Sequence, residues 1–238
     1  MEELLASWFE ANGRDLPWRL THDPYAILVS EVMLQQTQVD RVIPRWHAWL
    51  ARWPTVEALA AAPAADVIRE WQGPGYNRRA LNLHRAARIV AEHGWPDDLT
   101  QLPGVGPYTA DAVRAFAFGE SVLPVDTNVR RVQERTACSF GPGFGHALMD
   151  LGATVCLARV PRCRVCPLAD GCPSRGRRYE PLRKQSPFEG SFRQRRAATL
   201  RAVTAGPVPL AELDRDAVES LARDGLVELG DGRVFLPA

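Results

Sequence analysis

The sequence predicts an all-α body followed by a small helix-and-hairpin tail. Three observations carry that expectation. Apolar residues recur at helical spacing through the first 170 residues, punctuated by Gly and Pro. No alternating strand pattern precedes residue 200. The end of the chain, LVEL-GDG-RVFL, reads as a short hairpin around Gly230-Asp231-Gly232. With 238 residues, 46% of them hydrophobic, the chain can form one large domain or two of ordinary size, each with a real core.

Residues 2–11 carry an apolar stripe that Asn12-Gly13 ends, and Pro17 and Pro24 mark a loop. Residues 25–37, YAILVSEVMLQQT, read as a buried helix that is polar at one end. Helices are expected at 39–52, 56–62, 65–72, 77–93, 107–118, 124–136 and 145–157. Composition then shifts near residue 173. Residues 173–201 hold nine basic residues against Glu180 and Glu189. A solvated linker and a phosphate-contacting arm account for that run equally well. Beyond it, RRAATLRAV, AELD and DAVESLARDG give three helices before the hairpin, a series that resembles a small winged-helix module. The roughly 45 residues of this tail make a thin core, so it is expected to dock on the body.

Composition excludes several classes. The 29 basic and 28 acidic residues nearly balance, and no apolar run is long enough to span a bilayer. The start, MEELLASWFE, shows no secretory pattern, so a cytoplasmic protein is the expectation, with no membrane partner. Lys184 is the only lysine, which leaves one candidate for Schiff-base chemistry.

All five cysteines lie between 138 and 172. Cys156, Cys163, Cys166 and Cys172 follow C-x6-C-x2-C-x5-C. In a reducing compartment such clustered thiols read as metal ligands rather than disulfides. Four thiolates suit tetrahedral zinc or an iron–sulfur cubane. Cys138 falls outside the pattern and reads as a buried small residue.

Residues 102–118, LPGVGPYTADAVRAFAF, place Gly104, Val105 and Gly106 in a tight turn before a helix with Pro107 at its first position. Exposed amides at such a helix start can take a phosphate, although an ordinary helix-turn-helix fits the same letters. Asp126, in LPVDTNVRRV, is an N-cap or a catalytic carboxylate. Glu31 sits in an apolar stretch, where it is either a core acid paired with an Arg or a buried proton donor.

The cysteine spacing, the LPGVG hairpin and the following VDTN resemble the endonuclease III (helix-hairpin-helix-GPD) superfamily of DNA glycosylases. LPWR at 16–19 and SEVMLQQTQV resemble its adenine DNA glycosylase (MutY) branch. The resemblance covers about residues 5–172. It implies a two-lobed fold with a 4Fe–4S loop, in which 1–21 and 133–180 form the cluster lobe and 22–132 a helical barrel lobe. Residues 181–193 would be a basic linker and 194–238 the winged-helix-like tail. The implied cofactor is a 4Fe–4S cluster on the four clustered cysteines. The implied partner is double-stranded DNA carrying a mispaired or damaged base, bound by a monomer.

The same resemblance implies roles. Glu31 protonates the leaving base, Asp126 stabilises the oxocarbenium-like sugar or forms a transient covalent adduct with it, and Asn128 and Tyr108 shape that site. Trp18 and Arg19 touch the extruded base, and His146 stands where the family usually has an amide or acid at the adenine edge. Gln36 and Tyr76 wedge into the duplex, and Gln35 and Thr37 face the opposite strand. Tyr108 stands where bifunctional relatives place a nucleophilic lysine, which implies base release without strand cleavage. The 135–146 stretch is short beside the family pattern, and the tail reads as too short and too helical for the Nudix-like C-terminal domain of most full-length members. No aromatic pocket is legible in 194–238, so the tail is expected to add sequence-blind affinity.

Three rival readings stand beside this one. A glycosylase of the same fold could act on thymine or uracil opposite guanine, or on hypoxanthine; the QQTQ run favours adenine. A non-catalytic cluster-bearing DNA binder would need neither Glu31 nor Asp126. A zinc-only structural protein would be colourless.

Overall fold

A computed structural model describes residues 1–72, 76–180 and 187–238. The sole lysine, Lys184, and residues 181–186 of the expected linker lie outside the described residues. The chain forms two compact units, Met1–Leu28 with Gly106–Lys184, and Val29–Val105 with Gln185–Ala238. Residues 106–132 therefore group with the cysteine-bearing segment, and 194–238 share a unit with 29–105.

The first unit contains α1 (Glu2–Asn12), α7 (Pro107–Phe116), α8 (Thr127–Thr136) and α9 (Gly145–Thr154). Leu5 of α1, Val129 and Val132 of α8, and Leu148 and Leu151 of α9 are buried together with Leu168 from the cysteine loop. That shared core draws 127–136 to this unit. Gly152 sets the approach of α8 to α9: a Cβ there would lie 2.5 Å from the Cβ of Asn128.

The second unit contains α3 (Val39–Arg52), α4 (Val56–Ala60), α5 (Ala64–Glu70) and α6 (Arg78–His93). The boundary after Leu28 falls inside α2 (Pro24–Leu34). Thr55 caps α4 by accepting from the Ala58 amide at 3.2 Å. Trp49 meets Trp53 and Trp71 edge-on at centroid distances of 4.7 and 5.5 Å.

The tail supplies α10 (Phe192–Ala205) and α11 (Arg215–Arg223), and strands β1 (Val208–Pro209), β2 (Glu228–Gly230) and β3 (Arg233–Phe235). Leu200, Val203, Val218, Leu221, Leu226 and Val234 of the tail bury against Ile68 of α5 and Leu81 of α6. The tail thus completes a core begun by α5 and α6.

Several boundaries differ from the sequence expectation. α2 stops at Leu34 rather than 37, because Gln36 takes the left-handed conformation at φ 57°. α8 starts at Thr127 rather than 124, since Asp126 caps it. The middle helix expected in the tail is a 3₁₀ turn, Leu210–Glu212. Pro207 and Pro209 remove backbone donors there. The hairpin gains a third antiparallel strand, in the order β1-β3-β2, with Val208 and Leu229 both opposite Val234. Among the described residues no helix is long and apolar enough to cross a membrane.

Candidate active site and cysteine pocket

Asp126 is half-buried at the N-cap of α8. Its Oδ1 accepts from the Val129 amide at 2.6 Å, and its Oδ2 accepts from Asn128 Nδ2 at 2.7 Å. Two donors thus converge on this carboxyl at the start of a helix. The cap and a chemical role are compatible, because the remaining lone pairs of each oxygen stay available. Asn128 is fixed in turn: its Oδ1 accepts from Arg131 Nη2 at 2.6 Å. Arg131 also donates to the carbonyls of Gly152 and Cys156, both at 2.8 Å. A chain of hydrogen bonds therefore runs from Asp126 to the first residue of the cysteine cluster.

Trp18 is buried in the 3₁₀ turn Pro17–Arg19. Arg19 is clamped by Asp150 through two parallel bonds, Nη1 to Oδ2 at 2.9 Å and Nη2 to Oδ1 at 2.8 Å. Arg14 adds its amide and Nε to the same carboxylate, at 2.9 and 2.8 Å. The Asp150 side chain has no exposure. Burial raises its pKa, but the Arg19 and Arg14 donors outweigh that and hold the carboxyl below its usual range. His146, one turn earlier on α9, stacks on Phe116 with ring centroids 4.0 Å apart. Burial and the nearby Arg19 charge push its pKa down to about 4, so the imidazole is neutral at pH 7. Sequence reasoning missed Asp150. Its signal was the one that singled out Glu31, an acid within an apolar run, here HALMDLGAT.

Cys156, Cys163, Cys166 and Cys172 line one pocket, closed by Val132, Leu151 and Val155. Arg135 Nη1 donates to Cys156 Sγ at 3.5 Å, and the Gly176 amide donates to Cys163 Sγ at 3.3 Å. Arg135 is further fixed by the carbonyls of Leu157 and Ala158, both at 2.7 Å, and lies 3.7 Å from the Tyr179 ring centroid. Among the described residues no three His, Cys, Asp or Glu side chains are grouped to hold a single metal ion. A cubane separates its four thiolates more widely than a tetrahedral zinc does, and N–H donors to sulfur suit it. Cys138 stands outside the pocket, half-buried against the core of this unit.

In the second unit, Glu31 is 5% exposed on α2, between Ser30 and Val32, both also buried. Beyond the helix end, Gln36 is exposed, and Gln35 and Thr37 are half-buried. Arg79 organises this turn. Its Nη1 donates to the carbonyls of Val32 at 2.8 Å and Met33 at 3.2 Å, and also to that of Gln35. Its Nη2 donates to Thr37 Oγ1 at 3.3 Å. These carbonyls are the open acceptors at a helix C-terminus, where a cation is favoured. Burial pushes the Arg79 pKa down to about 10, still fully charged at neutral pH. Tyr76, 48% exposed, adopts φ 48° and lies with its ring centroid 5.5 Å from the Arg79 guanidinium. Gln35, Gln36 and Tyr76 line one groove. Nothing in the sequence separates Arg79 from a solvated helix arginine.

The LPGVG turn follows α6. Gly104 has φ 79°, and a Cβ there would stand 2.9 Å from that of Asn82, so glycine is required twice over. Val105 is buried, and Gly106 caps α7 with open space where a Cβ would be. Tyr108 lies half-buried in the first turn of α7.

Residues 29–139 match the HhH-GPD superfamily of base excision DNA repair proteins. Among solved structures, a thermostable thymine-DNA glycosylase superposes with a TM-score of 0.66 at 27% identity, over 72% of this chain and 93% of that one. Endonuclease III trapped on DNA, at 24% identity and TM-score 0.63, shares the fold. The helical units, the capped carboxylate and these matches define a base-excision glycosylase class. The adenine DNA glycosylase of Mycobacterium tuberculosis H37Rv is 43% identical over 98% of this chain and 92% of its own length. The human adenine DNA glycosylase is 39% identical over 73% of this chain and 39% of its own length. The chain belongs to the adenine DNA glycosylase family.

Proposed function

We propose that the chain hydrolyses the N-glycosidic bond of adenine mispaired with 8-oxoguanine or guanine in double-stranded DNA, as a monofunctional enzyme of base excision repair. One observation carries the reading: Asp126 is held by the Val129 amide and by Asn128 in a chain 43% identical to an adenine DNA glycosylase along almost its whole length. Adenine is a poor anionic leaving group, so the reaction needs a proton on the base and negative charge beside the sugar. The buried Glu31 carboxyl supplies the proton. The Asp126 carboxylate offsets the oxocarbenium charge, with Asn128 keeping it aimed and Tyr108 beside the flipped nucleotide.

Trp18, Arg19 and the neutral His146 shape the base pocket, where an uncharged imidazole can accept or donate one hydrogen bond to a purine edge. Gln36 and Tyr76 enter the stack, Gln35 and Thr37 meet the other strand, and Gly104, Val105 and Gly106 present amides to a phosphate. The two-unit chain works as a monomer in the cytoplasm, on nucleoid DNA.

The donor set fits a 4Fe–4S cluster on Cys156, Cys163, Cys166 and Cys172. These four thiolates would hold it, and it would order the loop without entering the hydrolysis. Arg159, Arg162 and Arg164 are exposed on that loop and suit phosphate contact. A brown protein with iron supports this assignment, and a colourless, folded zinc protein overturns it.

The function is tested on duplexes carrying adenine, thymine, uracil or hypoxanthine opposite guanine or 8-oxoguanine. Adenine release is expected, with strand breaks only after heat or alkali. Asp126→Asn should bind the A-containing duplex normally and release base at least ~1,000-fold more slowly. Undiminished release by this variant removes Asp126 from the mechanism.

A further inference from the structure

The groove that opens at Gln36 and Tyr76 has a second wall made by the tail together with Phe188 and Arg193 just before it. Phe188 and Arg193, Ala197 and Arg201 of α10 face it across about 920 Å³. Among the described residues, six arginines and one acid, Asp224, line it. That acid is already engaged by Arg196 at 2.5 Å, so the groove is strongly cationic. It also carries two exposed rings, Tyr76 at 48% and Phe188 at 52%. Phe188 is not a loose end. Its carbonyl accepts from the amide of Ser191 at 3.1 Å and from its hydroxyl at 2.5 Å, and Ser191 caps α10. Gln36 and Tyr76 on the facing wall are held at positive φ, a strained state that clusters at functional positions. Cations beside exposed aromatic faces suit a nucleic-acid strand with an unstacked base.

The strand follows from the chemistry. Extruding the target nucleotide leaves its partner without a pairing mate, and that orphaned edge must be satisfied beside the wedge. We propose that the C-terminal tail builds the far wall of a site for the strand opposite the excised base, with Arg193 and Arg201 holding its phosphates and Phe188 stacking on its orphaned purine. This rests on the glycosylase reading above, and it gives the tail a part in choosing the opposite base rather than affinity alone.

The test uses the full-length chain and duplexes carrying a tetrahydrofuran abasic analogue, so binding is read without base release. The position opposite holds 8-oxoguanine, guanine or a second tetrahydrofuran. The intact protein should bind the purine-containing duplexes more tightly than the one lacking the partner base. Phe188→Ala should shrink that ratio about tenfold, the size of one base–aromatic stack, and Phe188→Trp should restore it. Arg201→Ala should weaken all three duplexes alike and lower the slope of log affinity against log salt by about one. Thermal midpoints should stay unchanged, because both side chains are exposed. Equal loss on all three duplexes with Phe188→Ala, or no loss, overturns the proposal. A protein that releases no adenine from any duplex overturns the function above, while the binding ratios still decide this inference.

Discussion

In the first unit the groups around Asp126 come from nearby sequence. Asp126 bonds to Asn128 and Val129, and Arg131 carries the network on to Cys156. In the second unit, Gln36 and Tyr76 share a groove with Arg193 and Arg201 from the far end of the chain. The first arrangement is built by local spacing on α8 and the loop after α9. The second exists only when the tail has folded onto α5 and α6. A motif can therefore mark the first region from a handful of letters, whereas the second is a product of tertiary structure.

Four substitutions sharpen this contrast. The largest effect is expected for Asp150→Ala, which leaves Arg14 and Arg19 without their buried carboxylate. Breaking such a pair should cost ~3–5 kcal/mol in urea unfolding, and a loss below ~1 kcal/mol would show that the clamp is not a fixed part of the unit. Next is Arg79→Met, which keeps the stem but opens the carbonyls at the end of α2. It should destabilise by ~2–3 kcal/mol and slow base release, with Asp126→Asn unaffected in fold. Normal excision by Arg79→Met would show that the 35–37 turn holds its shape unaided.

Gly152→Ala is expected to cost ~1–3 kcal/mol, since its methyl would meet Asn128. A slowed rate with unchanged affinity for DNA would show that the local α8–α9 contact sets Asn128. The smallest and most conditional effect is that of His146. Its folded pKa of about 4 lies below the ordinary 6.5, so the unfolded chain binds more protons between those values. The resulting stabilisation is complete above pH 6.5 and is lost as pH falls toward 4. His146→Gln should flatten the stability profile in that window, and an NMR titration should find the ring neutral at pH 5.5. A ring that titrates near 6.5 would overturn this expectation.

The helices were legible because their apolar spacing and Gly/Pro punctuation are local properties, and the departures have local causes of another kind. Left-handed Gln36 ends α2 although glutamine is no helix breaker, and the Arg79 guanidinium sits at that end from α6. The Asp126 cap and the Cys156–Cys172 spacing could be read directly, because each depends on neighbours in the chain. Asp150 was readable by the same logic as Glu31. Gly152 carried a weaker sign, a glycine inside a helix. Arg79 carried none, because only the fold tells a buried arginine from a solvated one. The tail's aromatic contribution escaped attention for a related reason: Phe188 precedes α10, and its companion ring, Tyr76, lies before α6.

The shared core of Ile68, Leu81 and the tail has a consequence for biosynthesis. A ribosome makes α5 and α6 long before it makes Leu221 or Val234. Until then, Ile68 and Leu81 have no apolar cover from the tail, and the nascent chain leaves that surface open to solvent. Domains usually fold as they emerge, but here both units are interrupted in sequence and neither can close until its second segment leaves the exit tunnel. The strand Arg233–Phe235 brings in Val234, a late piece of that core, so premature termination before it should leave apolar surface uncovered rather than yield a smaller working enzyme.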